Sequence, residues 1–464
     1  MISRAGFALT SMRTVRSMMT TITQSFQRLS DRWLPHGGFA RSVSILAGGT
    51  ALAQGLAIMV SPILTRIYKP SEFGALQIFI SLMMFALVAA AGRYELAVLL
   101  PEDEQSAIDV LAVAVLCVCL TTIFCTGIVV ICHYHWILPS SMFVMHGLLW
   151  LLPLSILGGG IYQAMNYWAM RRDNYTQIAQ SKFTQAGAQI VTQLGIGLFV
   201  HGPFGLLMGD SVGRITGSGR FLRDLWRDYP EKLRAIRLSR MMRLAIRYRD
   251  YPLVSMWGTL ISVSVGALPP LFLAQYYGAQ GTGWFALVNR VLGVPAALIG
   301  LSIAQVYVSE AAKLSRSDPK RLMYLFLKTA RHMIYLGLGP CVVFTILAPW
   351  IFQFIFGHAW REAGVYARYL AFMFYASFID APVTMTLSIL ERQLAQFAWD
   401  ISRLMFTVVA MVLPYHLGYG ARIAILSYGV TVTLMYGVHW TLSYFAINRC
   451  VKQGVVKVTS AAQA

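Results

Sequence analysis

The stretch GTGWFALVNRVLGVPAALIGLSIAQVYVSE, residues 281–310, is long enough to cross a lipid bilayer and carries an arginine, Arg290, in its interior. A guanidinium that faces lipid costs about 3 to more than 10 kcal/mol, so such arginines usually face a protein interior or a water-filled cavity. At about 1.5 Å per residue, Arg290 lies roughly 10 Å below Gly283, where the helix is predicted to begin. This depth indicates a transport pathway rather than a simple interfacial anchor.

The composition indicates an integral membrane protein. Hydrophobic residues make up 57% of the 464-residue chain, charged residues only 12%, and the mean hydropathy is +0.60. A soluble domain carries roughly 25% charged residues. The 17 prolines and 38 glycines are spread through the apolar runs, where neighbouring helices can satisfy the freed backbone groups. This pattern is typical of a transporter bundle.

Apolar runs of about 20 residues, bounded by charges or turn signals, predict an all-α protein with about twelve transmembrane helices. The first set lies near 42–66, 75–99, 109–132, 144–169, 177–200 and 204–222. The second set lies near 250–276, 282–308, 330–356, 364–389, 394–416 and 421–446.

The lysines and arginines predict the membrane topology. The formal net charge is +19, but the basic residues cluster in short connections between apolar runs, which does not favour a nucleic-acid partner. With the amino terminus placed inside, 31 of the 38 lysines and arginines lie in inside segments and five in outside connections. This asymmetry predicts that both termini are cytoplasmic.

Weak internal similarity favours a duplicated chain. The densest basic segment, RFLRDLWRDYPEKLRAIRLSRMMRLAIRYRD at 220–250, divides the predicted helices into two sets of six. Three residues of the first half match residues of the second at offsets of 208, 208 and 209: Pro62 with Pro270, Tyr68 with Tyr276 and Gly74 with Gly283. They fall at the same topological place in each half, as a duplicated transporter requires.

Five segments follow from this division. They are a basic cytoplasmic extension (1–41), an amino-terminal lobe (42–222), a basic cytoplasmic linker (223–249), a carboxy-terminal lobe (250–448) and a cytoplasmic tail (449–464). The extension lacks the apolar segment of a signal peptide and is expected to touch anionic lipid. The alternatives are a loose tail or a start codon placed too early.

Several segments resemble the polysaccharide transporter family, the Wzx-type oligosaccharide flippases of the multidrug/oligosaccharidyl-lipid/polysaccharide (MOP) superfamily. The resemblance covers nearly all of 42–448. It is carried by SPILTRIYKPSEFGALQIFISL (61–82), RYELAVLLP (93–101), RRDNYTQIAQSKFTQ (171–185), RYRDYPLVS (247–255), LPPLFLAQYYGAQGTGWFALVNRVLGVPAALIG (268–300) and SIAQVYVSEAA (302–312). The basic extension departs from the family pattern.

The resemblance implies a bacterial inner-membrane protein with two pseudo-symmetric six-helix lobes around a central cavity, the MOP or MATE-like fold. It implies a flippase that moves an undecaprenyl-diphosphate-linked oligosaccharide from the cytoplasmic to the periplasmic leaflet for surface polysaccharide synthesis. The expected partners are this substrate, membrane lipids, H⁺ or Na⁺ as coupling ion, and a polysaccharide polymerase.

The candidate substrate-binding residues are polar groups within the apolar runs. Arg290 is expected to face the cavity and to pair with diphosphate oxygens, or else to donate to backbone carbonyls between helices. Arg93 lies near a cytoplasmic helix end, where it meets the lipid diphosphate or anchors topology. The uncharged polar residues in the apolar runs are expected either to bind sugar hydroxyls or to join helices. They are Asn289, Gln54, Gln163, Asn166, Gln189 and Gln193.

Four acidic residues are candidates for ion coupling, and a structural role is the alternative for each. Asp210 lies four residues before Arg214, a spacing that favours a self-neutralising pair over a cavity site that includes Arg214. The remaining candidates are Asp380, Asp400, with Arg403 three residues further on, and Glu95, which is two residues from Arg93 and so does not share a helix face with it.

Enzymatic and metal-binding functions have little support. The sequence has no nucleophile elbow, no Walker A loop and no predicted periplasmic loop longer than about fifteen residues. The cysteines and the histidines of HYHW (133–136) lack the spacing of a metal site, so neither a metal nor a cofactor is expected.

A MATE-type cation-coupled drug antiporter is the alternative function, and a membrane polymerase or ligase is the more distant one. The lone positive charge between Asp250 and Glu310 argues against the antiporter.

The topology can be tested with reporter fusions. Fusions after residues 229, 318 and 452 are expected to report cytoplasm, and fusions after 139, 279 and 358 to report periplasm, because basic residues are retained on the cytoplasmic side. Paired alkaline phosphatase and fluorescent-protein reporters measure both outcomes. A periplasmic signal at residue 229 would contradict the division into two lobes.

Overall fold

The computed structural model describes residues 38–135 and 147–461, with side chains over 48–133 and 147–452. The described elements are helical. Their bounds are α1 Gly38–Ile67, α2 Pro70–Ala90, α3 Tyr94–Ala97, α4 Glu104–His135, α5 Leu151–Arg171, α6 Tyr175–Gly197, α7 Phe204–Thr216, α8 Gly219–Asp228, α9 Pro230–Arg234, α10 Leu238–Arg247, α11 Met256–Val288, α12 Val294–Ser317, α13 Pro319–Phe356, α14 Arg361–Asp380, α15 Thr386–Ile389, α16 Gln393–His416 and α17 Ala421–Ala461. The predicted extension, apart from its last residues, lies outside the described residues.

Seven segments of the described chain are long and apolar enough to cross a membrane. The longest, Tyr251–Ser317, contains Gly278 with a φ of 85° and a ψ of 169°, so two helices meet there. The other four predicted spans are present as α5, α6, α7 and α14, which are too short or too polar to qualify individually. The predicted all-α membrane architecture is therefore confirmed.

The second predicted helix, 75–99, differs from the observed one at both ends. Helix α2 begins at Pro70, because proline suits the first helical turn and the Glu72 carboxylate accepts a hydrogen bond from the Lys69 backbone N–H at 2.9 Å. It ends at Ala90 because Gly92 and Arg93 both have positive φ, 57° and 62°, which no helix accommodates. Arg93 therefore lies in a turn and not on a helix face.

Helices α6 and α7 pack along a ladder of glutamines against glycines. Each set recurs every four residues and so occupies one helix face. A Cβ at Gly209 would lie 2.4 Å from Gln193 Cγ, and one at Gly213 would lie 3.0 Å from Gln189 Cβ. The missing side chains let the two backbones approach closely. Gln189 and Gln193 therefore join helices, the alternative expected for them from the sequence.

The two halves of the chain meet through a reciprocal backbone contact. A Cβ at Gly74 of α2 would lie 1.8 Å from the Ala279 carbonyl oxygen, and one at Gly283 would lie 1.7 Å from the Pro70 carbonyl oxygen. Pro70 and Ala279 are separated by 209 residues, and so are Gly74 and Gly283. The same pair of positions in each half thus contacts its counterpart, as a local two-fold axis requires.

A buried tryptophan extends this contact between the halves. Trp360, in the turn before α14, donates its indole N–H to the Thr65 carbonyl of α1 at 3.1 Å. Its ring packs edge-on against Phe73 with centroids 5.0 Å apart. Aromatic burial with a satisfied polar atom stabilises a junction more than packing area alone. The α1–α2 connection is therefore held directly against the second half.

The connection between the halves is a set of three short helices rather than a loose chain. Helices α8, α9 and α10 carry its basic residues. Arg240 pairs with the buried Asp109 of α4 at 2.9 Å, and the Tyr94 hydroxyl donates to the Ala245 carbonyl at 3.0 Å. Gln105 also donates to the Lys232 carbonyl. These contacts fix the connection to the first half.

The reciprocal glycine contact predicts the effect of a single methyl group. Gly74→Ala and Gly283→Ala are each expected to lower the free energy of unfolding in detergent by about 1–3 kcal/mol, because the new Cβ overlaps a backbone oxygen that cannot move independently. Thermal unfolding of the purified protein measures this loss.

Gly127→Ala is the matched control, because no atom lies within 4 Å of a Cβ built at Gly127 of α4. Alanine is the better helix former, so this variant is expected to keep or raise stability. Equal effects of the three substitutions would show that the contact between the halves does not limit stability.

Candidate substrate and ion site

Arg290 lies in a π-helical turn, Asn289–Gly293, that precedes α12. Pro295 explains the widened turn, because its ring crowds the preceding turn and it lacks the N–H for a regular helical bond. The Arg290 guanidinium donates to the Ala57 carbonyl of α1 at 3.0 Å. In this conformation Arg290 thus makes the interhelical bond to a backbone carbonyl that was the alternative to a cavity role.

The uncharged polar candidates lie near this contact. Asn289 precedes Arg290 in the π turn and is partly exposed. Gln54 lies on α1, three residues before Ala57, with an exposed side chain. Both are thus available for further hydrogen bonds on either side of the junction between the halves.

Asp210 and Arg214 form the pair that their spacing predicts. The Arg214 Nε and Nη2 atoms lie 2.6 and 3.3 Å from the two Asp210 carboxylate oxygens, one turn apart on α7. Asp210 is buried, and its carboxylate is held by Arg214. Arg290 therefore adds a further positive charge at the junction between the halves.

Glu95 is paired with Arg93, although the two do not share a helix face. The Arg93 Nη1 atom lies 3.5 Å from Glu95 Oε1, and Gln163 donates to the same oxygen at 2.9 Å. The pair forms because Arg93 takes a left-handed conformation in the turn just before α3. Glu95 is fully buried, and its second carboxylate oxygen, Oε2, has no hydrogen bond to any of the described residues.

One face of α5 brings these groups together. Ser155, Gly159 and Gln163 recur every four residues along it. The Ser155 hydroxyl bonds Ser211 of α7 at 2.6 Å, a Cβ at Gly159 would lie 3.7 Å from Arg214 Cδ, and Gln163 reaches Glu95. The Arg93–Glu95 and Asp210–Arg214 pairs therefore both lie beside α5.

Asp380 and Asp400 belong to a second polar cluster, buried among α14, α16 and α17. Asp380 Oδ1 lies 2.8 Å from His439 Nδ1, and His439 Nε2 lies 3.1 Å from Gln396 Oε1. Gln396 continues to Asp400, which pairs with Arg403 at 3.4 Å. The sequence analysis did not single out His439. The signal was present, because His439 is an ionisable residue inside the apolar run 421–446, as Arg290 is inside 282–308.

The described residues contain no group of three His, Cys, Asp or Glu side chains placed to hold a metal ion. The HYHW motif lies mostly outside the described side chains, which end at His133 before the gap. No metal chemistry is assigned to it.

The Asp210–Arg214 pair predicts a double-variant result. Asp210→Asn and Arg214→Gln are each expected to lose about 1–3 kcal/mol of stability, because each leaves one charge without its partner. The double variant is expected to recover part of that loss, as measured by thermal unfolding in detergent. As a control, Glu362→Gln, in the exposed pair with Arg422, is expected to lose less than about 1 kcal/mol. Strictly additive losses at Asp210 and Arg214 would show that the pair does not interact.

Three solved structures share the fold. A multidrug resistance MATE family transporter of the MOP superfamily, in an inward-facing conformation, matches with a TM-score of 0.62 at 14% identity, covering 89% of this chain and 98% of its own. The lipid II flippase MurJ, in an inward closed conformation, matches with a TM-score of 0.63 at 10% identity, covering 89% and 90%. A MOP superfamily transporter from Pyrococcus furiosus, whose reverse binding-pocket polarity suggests a different function, matches with a TM-score of 0.52 at 13% identity, covering 88% and 96%.

Sequence comparison gives the family. No curated protein matches the chain by sequence. The profile of a family described as "Polysaccharide biosynthesis protein" matches residues 63–365, which is more than half of the chain and includes Arg93, Asp210 and Arg290. With the helical architecture and the MOP fold already established, this match decides the assignment: the chain belongs to the polysaccharide biosynthesis protein family and has the fold of MOP superfamily transporters.

Proposed function

We propose that the protein is a flippase that moves an undecaprenyl-diphosphate-linked oligosaccharide from the cytoplasmic to the periplasmic leaflet by alternating access. The family match supports a role in polysaccharide synthesis, and the fold shared with the lipid II flippase MurJ supports a lipid-linked substrate. The observation that carries the proposal is the positive charge at the junction between the halves. There the Arg290 guanidinium donates to a neutral backbone carbonyl, that of Ala57.

A diphosphate suits this junction better than the present partner of Arg290. The bond to Ala57 joins a charged donor to a neutral carbonyl. Phosphate oxygens form stronger, bidentate bonds with a guanidinium. A substrate diphosphate can therefore displace Ala57, which frees α1 from the π turn. Gln54, Asn289, Arg93 and Arg214 are proposed to bind the remaining polar parts of the head group.

The exchange of partners at Arg290 couples binding to movement of the halves. The halves also touch through Gly74, Gly283 and Trp360 near the α1–α2 connection, which the charge asymmetry places on the periplasmic side. In the proposed cycle this end opens after the substrate has entered from the cytoplasmic side. The two lobes, 42–222 and 250–448, move about the central cavity while the prenyl tail stays in lipid.

The alternative of a drug antiporter is weaker on electrostatic grounds. A cationic drug requires uncompensated acids, whereas Asp210, Glu95 and Asp400 are each paired with an arginine. Like-charge repulsion at Arg290 would oppose such a substrate. We place the protein in the bacterial inner membrane with both termini cytoplasmic, where the basic helices α8 to α10 face anionic lipid and a polymerase receives the translocated repeat.

Loss of the protein is expected to stop surface polysaccharide synthesis at the lipid-linked stage. Repeat units should accumulate on undecaprenyl diphosphate, as measured by mass spectrometry of lipid extracts from a deletion strain.

Re-expressed Arg290→Glu should fail to restore export at normal protein level, because it reverses the charge that meets the diphosphate. Arg290→Lys should restore it partly, since it keeps the charge but loses the bidentate geometry.

Arg331→Ala is the matched control, because Arg331 is exposed on α13 and stacks over Tyr335 of the same helix. This variant is expected to export normally. Normal export by Arg290→Ala at equal protein level would refute the role of Arg290. Normal polymer in the deletion strain, with increased retention of cationic dyes, would refute the flippase and favour the antiporter.

A further inference from the structure

The four candidate acids for ion coupling differ in the chemistry of their partners. Asp210, Glu95 and Asp400 each pair with an arginine. Arginine stays protonated in proteins, so it cannot itself bind or release a proton. Asp380 alone among the four pairs with a histidine, His439, and histidine gains and loses a proton near neutral pH. This is therefore the one candidate pair in which both members can titrate.

The pair is enclosed by protein. Asp380 is 1% exposed and His439 is 0% exposed. The Thr384 hydroxyl lies 3.3 Å from Asp380 Oδ2, and the His439 ring lies with its centroid 4.3 Å from that of Trp399. Burial makes an uncompensated carboxylate expensive. The charge of Asp380 is therefore tied to the protonation of its histidine partner.

The hydrogen-bond geometry constrains the protons that this pair can hold. The Gln396 amide nitrogen lies 3.4 Å from Asp400 Oδ2, and its amide oxygen lies 3.1 Å from His439 Nε2. With the amide in this orientation Nε2 must carry a hydrogen, because an amide oxygen only accepts. The 2.8 Å contact between Nδ1 and Asp380 Oδ1 then needs a second proton, on the nitrogen or on the oxygen. In this orientation of the amide, the contacts are therefore satisfied when one proton joins Nδ1 and Oδ1.

Loss of that proton would disrupt the packing. The neutral Nε2–H tautomer and an ionised Asp380 would place two lone pairs against each other at 2.8 Å. In the neutral Nδ1–H tautomer, His439 donates to Asp380, but Nε2 then needs a donor from Gln396. The Gln396 amide would have to rotate by 180°, which would place its oxygen against the Asp400 carboxylate. Because Asp380, Gln396 and His439 lie on α14, α16 and α17, either outcome strains the contacts among three helices of the second half.

The charged surroundings lead from the pair to a partly exposed end. On α16, Asp400 and Arg403 are 25% and 14% exposed at their side chains, and Arg403 lies over the Trp399 ring at 4.3 Å. Arg403 also reaches the Tyr436 hydroxyl of α17 at 3.4 Å. Among the neighbouring groups, the buried Tyr307 hydroxyl of α12 bonds Thr386 at 2.9 Å. The charged or titratable side chains nearby on α12, on α13 and before α16 are exposed or partly exposed; they are Glu310, Lys328, Arg331, His332, Glu391 and Arg392.

We propose that Asp380 and His439 bind and release the proton that drives translocation, with Gln396 and Asp400 leading to the exposed end. One proton joins the Nδ1–Oδ1 bond and returns to water when the helices separate, so no other reactant is needed. The carboxylate oxygen that a sodium ion would require is occupied by the imidazole, and an imidazolium repels a cation. The proposal names the coupling ion of the flippase and rests on that function.

Proton binding can be measured without transport. An imidazolium in contact with an indole quenches its fluorescence, so Trp399 reports on His439. Purified protein in detergent, titrated from about pH 9 to about pH 5, should lose part of its tryptophan emission. His439→Gln, Asp380→Asn and Trp399→Phe should each abolish that pH-dependent part, and the exposed-site control His332→Gln should keep it. Retention of the full response in His439→Gln or in Asp380→Asn would overturn the proposal.

Coupling is tested in proteoliposomes with undecaprenyl-diphosphate-linked N-acetylglucosamine as the probe. A gradient of about one pH unit should accelerate translocation by wild-type protein and by His332→Gln several-fold, and a tenfold sodium gradient should not. His439→Gln and Asp380→Asn should lose the acceleration. Asp380→Asn keeps the side-chain volume, and size-exclusion profiles show whether both variants are folded.

Acceleration by sodium alone, or a wild-type response in either variant, would overturn the proposal that Asp380 and His439 bind the coupling proton. Absence of wild-type translocation under every gradient, together with an intact fluorescence titration, would instead refute the flippase.

Discussion

A bilayer interior offers no water to a charged side chain, and every charge within the helices of this protein must therefore find a partner in the protein itself. The constraint is met in a different way at each place. Arg290 uses a backbone carbonyl across the junction of the halves, Arg214 and Arg93 use carboxylates in the first half, and Asp380 uses a histidine in the second. Each solution allows a different function, because the partners differ in how readily they can be replaced or deprotonated.

Two kinds of contact join the halves. One is the close backbone packing at Gly74 and Gly283, and the other is the hydrogen bond from Arg290 to the Ala57 carbonyl. The Gly74 and Gly283 contacts bring backbone against backbone without a side chain between them. Such contacts depend on close approach and are lost at once when the helices separate. In the proposed function, the Arg290 bond is instead replaced by a bond to a substrate phosphate. A junction built of these two kinds of contact suits the proposed switch between two arrangements.

The two halves hold their polar groups in different ways. Its glutamine and glycine ladder between α6 and α7, and the docking of α8 to α10 on α4, fix many polar groups in place. In the second half, His439 contacts both Asp380 and Gln396, and in the proposal one proton changes the direction of these hydrogen bonds. Arg290 and the proposed proton site both lie in the carboxy-terminal half, and in the proposed function binding at one is opposed or favoured by the other.

The sequence by itself determined the helical membrane architecture and the resemblance to the family, and it singled out Arg290, because apolar length, short motifs and an isolated charge are local properties. It also predicted the Asp210–Arg214 pair, since a spacing of four fixes a helix face. It could not predict that Arg93 turns back to Glu95, because the break of the helix depends on two positive φ values. Nor could it predict that Asp380 meets His439, 59 residues away, or that Arg290 meets Ala57, 233 residues away. Only the tertiary structure decided these partners, because contacts between distant helices depend on how the whole bundle packs.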